Sequence, residues 1–149
     1  MSKVLVQTLS AEKIVSAVLC QLNHDQVEEA IALFAASFRF KDHGIGLEFS
    51  DKHRLTEFFQ KTRDLYPDYS LQTDQVFVIG DDVITQWTLY ATLAEPFYGR
   101  LTRKIPISIA GVSIVHTDKG QITDWADYYD GLTSRRTVLA AYFTEWIEY

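Results

Sequence analysis

The chain has 149 residues, a length that fits one compact domain. With 47% hydrophobic residues it can build a core, and nothing in its composition marks disorder or a fibrous repeat. The net charge of −6 argues against a general nucleic-acid binder, which needs a basic patch, and against docking on an anionic membrane.

Ser10 is placed to cap a first helix, in which Ile14, Val15, Val18, Leu19 and Leu22 recur at helical spacing. Asn23 and His24 break it. Cys20 is the only cysteine, so no intramolecular disulfide can form, which fits a reducing cytoplasm. It reads as a small buried hydrophobe rather than a nucleophile. Asp25, with Glu28 three positions on, is a capping-box signal for a second helix over DQVEEAIALFAAS. Its apolar face is Val27, Ala30, Ile31 and Phe34. FRFKDHGIGLEFSD is irregular: it opens with a short strand, FRF, and passes through two glycines. Ser50 or Asp51 caps KHRLTEFFQKTRDLYPD, a helix with Leu55, Phe58, Phe59 and Leu65 inward, stopped by Pro67.

The second half is β. YSLQTDQVFVIG, VITQWTLYATL, IPISIAGVSIVHT and QITDWADYYD are rich in β-branched and aromatic residues. Short connections join them, which predicts an antiparallel meander. TSRRTVLAAYFTEWIEY closes the chain as a helix over about 133–148, after a core of about 10–131. Its Leu139, Tyr142, Phe143, Trp146 and Ile147 call for burial on this domain or on another subunit. Helices first and then a run of strands is an α+β pattern, organised as a single domain over 1–149. No apolar run approaches the ~20 residues that span a bilayer. The N-terminus lacks the apolar region of a signal peptide, so the expected location is cytoplasmic.

The stretches VEEAIALFAASFRFKDH, TRDLYPDYSL, VITQWTLYAT, IPISIAGVSIV and GQITDWADYYD carry a resemblance. Together they resemble the SnoaL-like branch of the nuclear transport factor 2 superfamily. Its members include ketosteroid isomerases, polyketide cyclases and limonene epoxide hydrolases. The resemblance implies a cystatin-like cone, a strongly curved antiparallel sheet wrapped on N-terminal helices, with a ligand cavity at the open end. It also implies a homodimer through the outer sheet face, an apolar small-molecule ligand and no cofactor.

Strand period puts Ile122, Asp124, Ala126 and Tyr128 on one face of the last strand, and Thr123, Trp125, Asp127 and Tyr129 on the other. In the related epoxide hydrolases a W-x-D pattern on this strand sets the acid in the pocket. Trp125-Ala126-Asp127 matches it, which makes Asp127 the candidate general acid or base. A carboxyl among aromatic walls has its ionised form desolvated and its pKa raised, which suits proton transfer near neutral pH. The bland alternative is a carboxylate bonded to a Tyr hydroxyl or a backbone amide. Asp42 and His43 sit beside Gly44 and Gly46, either as a second proton-transfer group or as an Asx turn and a surface histidine. The hydrolase Asp-Arg-Asp relay is missing, because VITQWTLYAT holds neither Arg nor Asp. Which face of that strand lines the cavity stays open, so Trp87 and Tyr90 are both candidate ligand contacts, with Phe40, Trp125 and Tyr129. Arg135 and Arg136 are either solvated or paired with an acid such as Asp127 or Asp130. No His pair has ligand spacing, so no metal site is expected.

The expected function is a small-molecule-binding protein of isomerase or cyclase type, moving a proton on an apolar ring or polyketide-like substrate. The alternatives are a non-catalytic apolar-ligand-binding module and an assembly domain on the same cone.

Overall fold

A computed structural model describes residues 9–97, 101–133 and 136–137. Helix α1 (Ala11–Asn23) starts where Ser10 Oγ accepts from the Lys13 N–H at 3.4 Å. It buries Ile14, Val15, Val18, Leu19 and Leu22. Cys20, expected inside, is exposed: it points away from that stripe, with its sulfur 3.8 Å from His24 Nδ1. The break at Asn23 has a structural use. Asn23 pairs with Leu71 through both side-chain atoms, at 2.7 and 2.6 Å, and so ties the end of α1 to the sheet.

The second helix is shorter than its sequence signal. Helix α2 covers only Val27–Ile31, and Asp25 does not cap it. Asp25 instead takes φ 59° in the exit turn of α1, where its N–H reaches Leu22 O. Strand β1 (Phe34–Asp42) begins where the helix was expected to continue. Phe34, Phe38, Phe40 and Asp42 are buried along it, and burial by the sheet overrides the helical spacing of ALFAAS. Strand β2 (Leu47–Phe49) folds back on it. Helix α3 (Lys52–Leu65) starts from Asp51, whose Oδ1 accepts from the Arg54 N–H at 3.0 Å. It buries Leu55, with Phe58 and Phe59 partly buried, while Leu65, expected inward, is exposed.

Strands β3 (Ser70–Ile79), β4 (Asp82–Phe97), β5 (Leu101–Asp118) and β6 (Gln121–Tyr129) form the antiparallel meander. The sheet order is β2-β1-β6-β5-β4-β3, and β1 runs parallel to β6. The sheet is curved and unclosed, with the N-terminal helices on it, so the expected α+β cone is present. The main core lies between α1 and the sheet, around Phe34, Phe40, Val83, Val115, Ile122 and Trp125. Ile122 belongs to it because the register shifts between His116 and Thr117, which breaks the strict alternation of β6 and turns Ile122 inward with Trp125. Among the described residues no helix is long and apolar enough to cross a membrane. The expected helix over 133–148 lies almost wholly outside the described residues, which include only its first turn at Thr133, Arg136 and Thr137.

Candidate functional site

Strand register builds the site in three inward rows. The first is apolar: Val83, Val115, Trp125 and Phe40 align across β4, β5, β6 and β1, each nearly sealed from solvent. Two residues along each strand, the second row is polar: Thr85, Ser113, Asp127 and Asp42. Two further along, Trp87 and Tyr129 flank Gly111, with their ring centroids 6.0 Å apart. A polar row is thus held between an apolar core and an aromatic wall. The parallel pairing of β1 and β6 is what sets Asp42 beside Asp127.

The third row opens into a cavity of about 900 Å³. Leu22 of α1, Phe58 and Phe59 of α3, and Leu71, Leu93 and Ile109 of the sheet give it an apolar lining. Asp42 and Asp127 are its carboxylates. A volume of this order admits a drug-sized molecule of several rings.

Two donors converge on one oxygen of Asp127. Ser113 Oγ donates to Oδ1 at 2.5 Å, and Trp125 Nε1 donates to the same atom at 2.6 Å. Ser113 Oγ accepts in turn from Trp87 Nε1 at 2.8 Å. No donor among the described residues reaches Oδ2. The Asp127 carboxyl is pushed from 3.8 up to about 7. Burial does most of this; the hydrogen bonds from Ser113 and Trp125 pull the other way, and the neighbouring Asp42 adds to the rise. Asp42 has both oxygens engaged: Oδ1 accepts from the Ile45 N–H at 3.1 Å and Oδ2 from the Tyr129 hydroxyl at 2.9 Å. Burial and the Asp42 charge hold the Tyr129 phenol far above its ordinary pKa, so it remains a donor.

Asp42, Trp87, Trp125, Asp127 and Tyr129 therefore meet at one cavity. His43 and Tyr90 do not, and they are corrections. Each follows an inward residue by an odd number of positions, so the pleat turns it out. His43 is exposed and stacks on Tyr128 at 4.2 Å on the outer face. Tyr90 is 47% exposed, because Thr85 and Trp87 hold the inner phase of β4. Phe40 is 1% exposed and packs under Trp125 in the core rather than on the cavity. Arg136 pairs with Asp130, not with Asp127. Sequence reasoning missed Ser113 and Tyr66. Ser113 carried a weak signal, a polar residue in the inward phase of IPISIAGVSIV. Tyr66 lines the cavity just past α3, and its hydroxyl donates to no described residue. Among the described residues no group of three His, Cys, Asp or Glu side chains is placed to hold a metal ion.

Residues 15–125 match the SnoaL-like domain, and the chain belongs to that family. Solved structures are similar over most of their length. One is IdmH of Streptomyces antibioticus, for which polyketide cyclase activity is proposed: 16% identity, 87% of this chain and 99% of that one, TM-score 0.76. Another is an LEH-like epoxide hydrolase from M. tuberculosis, with 16% identity, coverage of 93% and 96%, and TM-score 0.69. A third has a ketosteroid isomerase-like fold, comes from Catenulispora acidiphila and was solved with trimethylamine. It shows 20% identity, coverage of 81% and 88%, and TM-score 0.69. Among curated proteins none matches the chain.

The raised Asp127 pKa has a consequence for folding. Between the unfolded value near 3.8 and the folded value near 7, the native state binds the extra proton, so stability falls as pH rises through that window. At about 1.4 kcal/mol per pH unit the total comes to roughly 4 kcal/mol. Urea unfolding between pH 4 and pH 8 should show this loss in the wild type and most of it missing in Asp127→Asn. Parallel curves would contradict the desolvated carboxyl.

Proposed function

We propose that this protein is a cofactor-independent acid–base enzyme that moves a proton on an apolar, ring-bearing or polyketide-like substrate. Asp127 is its acid/base residue. The observation that carries this reading is the asymmetry of the Asp127 carboxyl: Oδ1 is held by two donors, and Oδ2 is left for a proton beside an apolar cavity. With a pKa near 7, both forms of the carboxyl are present at neutral pH, the condition for efficient proton transfer. The ionised form takes a proton from an activated carbon, and the neutral form returns it to another position.

The polar lining limits the substrate. The Trp125 and Ser113 donors serve Asp127, the Trp87 N–H serves Ser113, and the Tyr129 hydroxyl serves Asp42. Among the described residues, the Tyr66 hydroxyl and the Lys61 ammonium line the cavity without a partner and can meet a carbonyl oxygen. A site with so few free donors suits a substrate whose C–H is already acidic, such as a β-dicarbonyl compound. Asp42, with both oxygens occupied, acts through its charge on Asp127 rather than as a second proton carrier. Structural neighbours of this fold include a hydrolase and a proposed cyclase, and fold alone does not choose between them.

A non-catalytic binding module is the second reading, favoured by the hydrogen bonds that already satisfy Asp42 and Asp127 Oδ1 within the protein. The open cavity counts against a purely structural assembly domain. Proton NMR in D2O separates the first two. On an apolar cyclic β-ketoester the enzyme reading predicts catalysed deuterium exchange at the acidic carbon, rising with pH to half its maximum near 7. Asp127→Asn should lower it by about 10²–10⁴-fold. Saturable binding without exchange would instead leave the binding module.

The reading includes a cytoplasmic homodimer joined through the outer sheet face. Phe77, Ile84, Ile114 and Ala126 align there in one cross-strand row, with Phe77 and Ile114 exposed. Ile114→Lys should convert the dimer to monomer in sedimentation; a wild type that sediments as a monomer would remove this part of the proposal.

A further inference from the structure

We propose that Trp87 and Ser113 are positioning residues for Asp127. The Trp87 N–H fixes the direction of the Ser113 O–H, and that bond decides which Asp127 oxygen handles the proton. The inference rests on the acid/base reading of Asp127. An indole N–H can only donate. Its 2.8 Å bond to Ser113 Oγ therefore takes up an acceptor site on that oxygen. Ser113 has one proton to give, and Asp127 Oδ1 stands 2.5 Å away. The cross-strand neighbour on the other side, Thr85 Oγ1, has no hydrogen-bond partner among the described residues, Ser113 included, so it is not an outlet for the Ser113 proton. A proton on Oδ1 would strand the hydrogen of the Ser113 hydroxyl in a sealed place, since Ser113 is 1% exposed.

The exchanging proton is thus directed to Oδ2. The carbonyl oxygen of a neutral acid and an oxygen of a carboxylate can each accept two hydrogen bonds. Oδ1 keeps Ser113 and Trp125 in both protonation states, and no donor has to reorganise as the proton comes and goes. Gly111 makes the arrangement possible. Its bare Cα lets the indole of Trp87 lie against β5; a Cβ there would stand 2.3 Å from ring atom Cη2. The indole nitrogen then reaches Ser113, two residues further along the strand. The other titratable groups lining the cavity are Asp42 of β1, Tyr129 of β6, Tyr66 and Lys61 at the α3 side, and Tyr69, whose hydroxyl donates to Leu22 O; the test leaves all of them in place.

The test reads Asp127 by carboxyl carbon NMR, with no substrate, in wild type, Ser113→Ala, Trp87→Phe and the double variant. Ser113→Ala should raise the Asp127 pKa by about one pH unit, the worth of one hydrogen bond to a charged group. Trp87→Phe should raise it in the same direction, and the double variant should match Ser113→Ala alone, because Trp87 acts only through Ser113. An unmoved pKa in Trp87→Phe, or additive effects in the double variant, would overturn the relay. The Trp87 indole proton gives a second readout that does not need the Trp87 variant to fold. In Ser113→Ala it should move upfield and exchange faster with solvent; an unchanged resonance would also overturn it. Because these readings need no turnover, they stand apart from the deuterium-exchange test of the acid/base function.

Discussion

The site depends on one constraint: a half-buried carboxyl that, among the described residues, is hydrogen-bonded at only one of its oxygens. Burial alone would raise the pKa of Asp127 further, and full hydrogen bonding would pull it back toward an ordinary carboxylate. Ser113 and Trp125 supply two bonds, both to Oδ1, and the balance lies at about 7. The surroundings serve that balance. The apolar row below excludes water, and Asp127 lines the apolar-walled cavity above.

The fold supplies this constraint through register rather than through any one loop. The meander β3–β6 delivers Thr85, Ser113 and Asp127 in one row, and the parallel strand β1 adds Asp42 at its end. Two carboxylates side by side in a dry place would be costly. Tyr129 and the Ile45 N–H offset that cost by occupying both oxygens of Asp42. Tyr129 therefore has two tasks, as cavity wall and as partner of the second acid. α1 and α3 close the concave side without filling it, since Leu22, Phe58 and Phe59 stop at the cavity edge.

Much of this was legible in the chain. The alternation Trp125, Asp127, Tyr129 placed the acid correctly because β6 keeps its period beyond the irregularity near Thr117. Trp87 and Tyr90 were not separable, because both phases of VITQWTLYAT are apolar or aromatic and only cross-strand register decides between them. Phe34 fits the spacing of a helix after Ile31 as well as the start of a strand, so α2 looked too long. The partners of Asp127 were hidden for another reason. Trp87, Ser113 and Asp127 are 26 and 14 positions apart, and such long-range contacts leave no local pattern.

The central claim is that Asp127 is a desolvated acid poised for proton transfer, and its own titration tests this most directly. Carboxyl carbon NMR of the wild-type protein, assigned with Asp127→Asn, would follow the group from pH 3 to pH 9. The account predicts a midpoint at about 7. A midpoint at or below the ~3.9 of a free aspartate would mean a solvated or fully bonded carboxylate, and would contradict it.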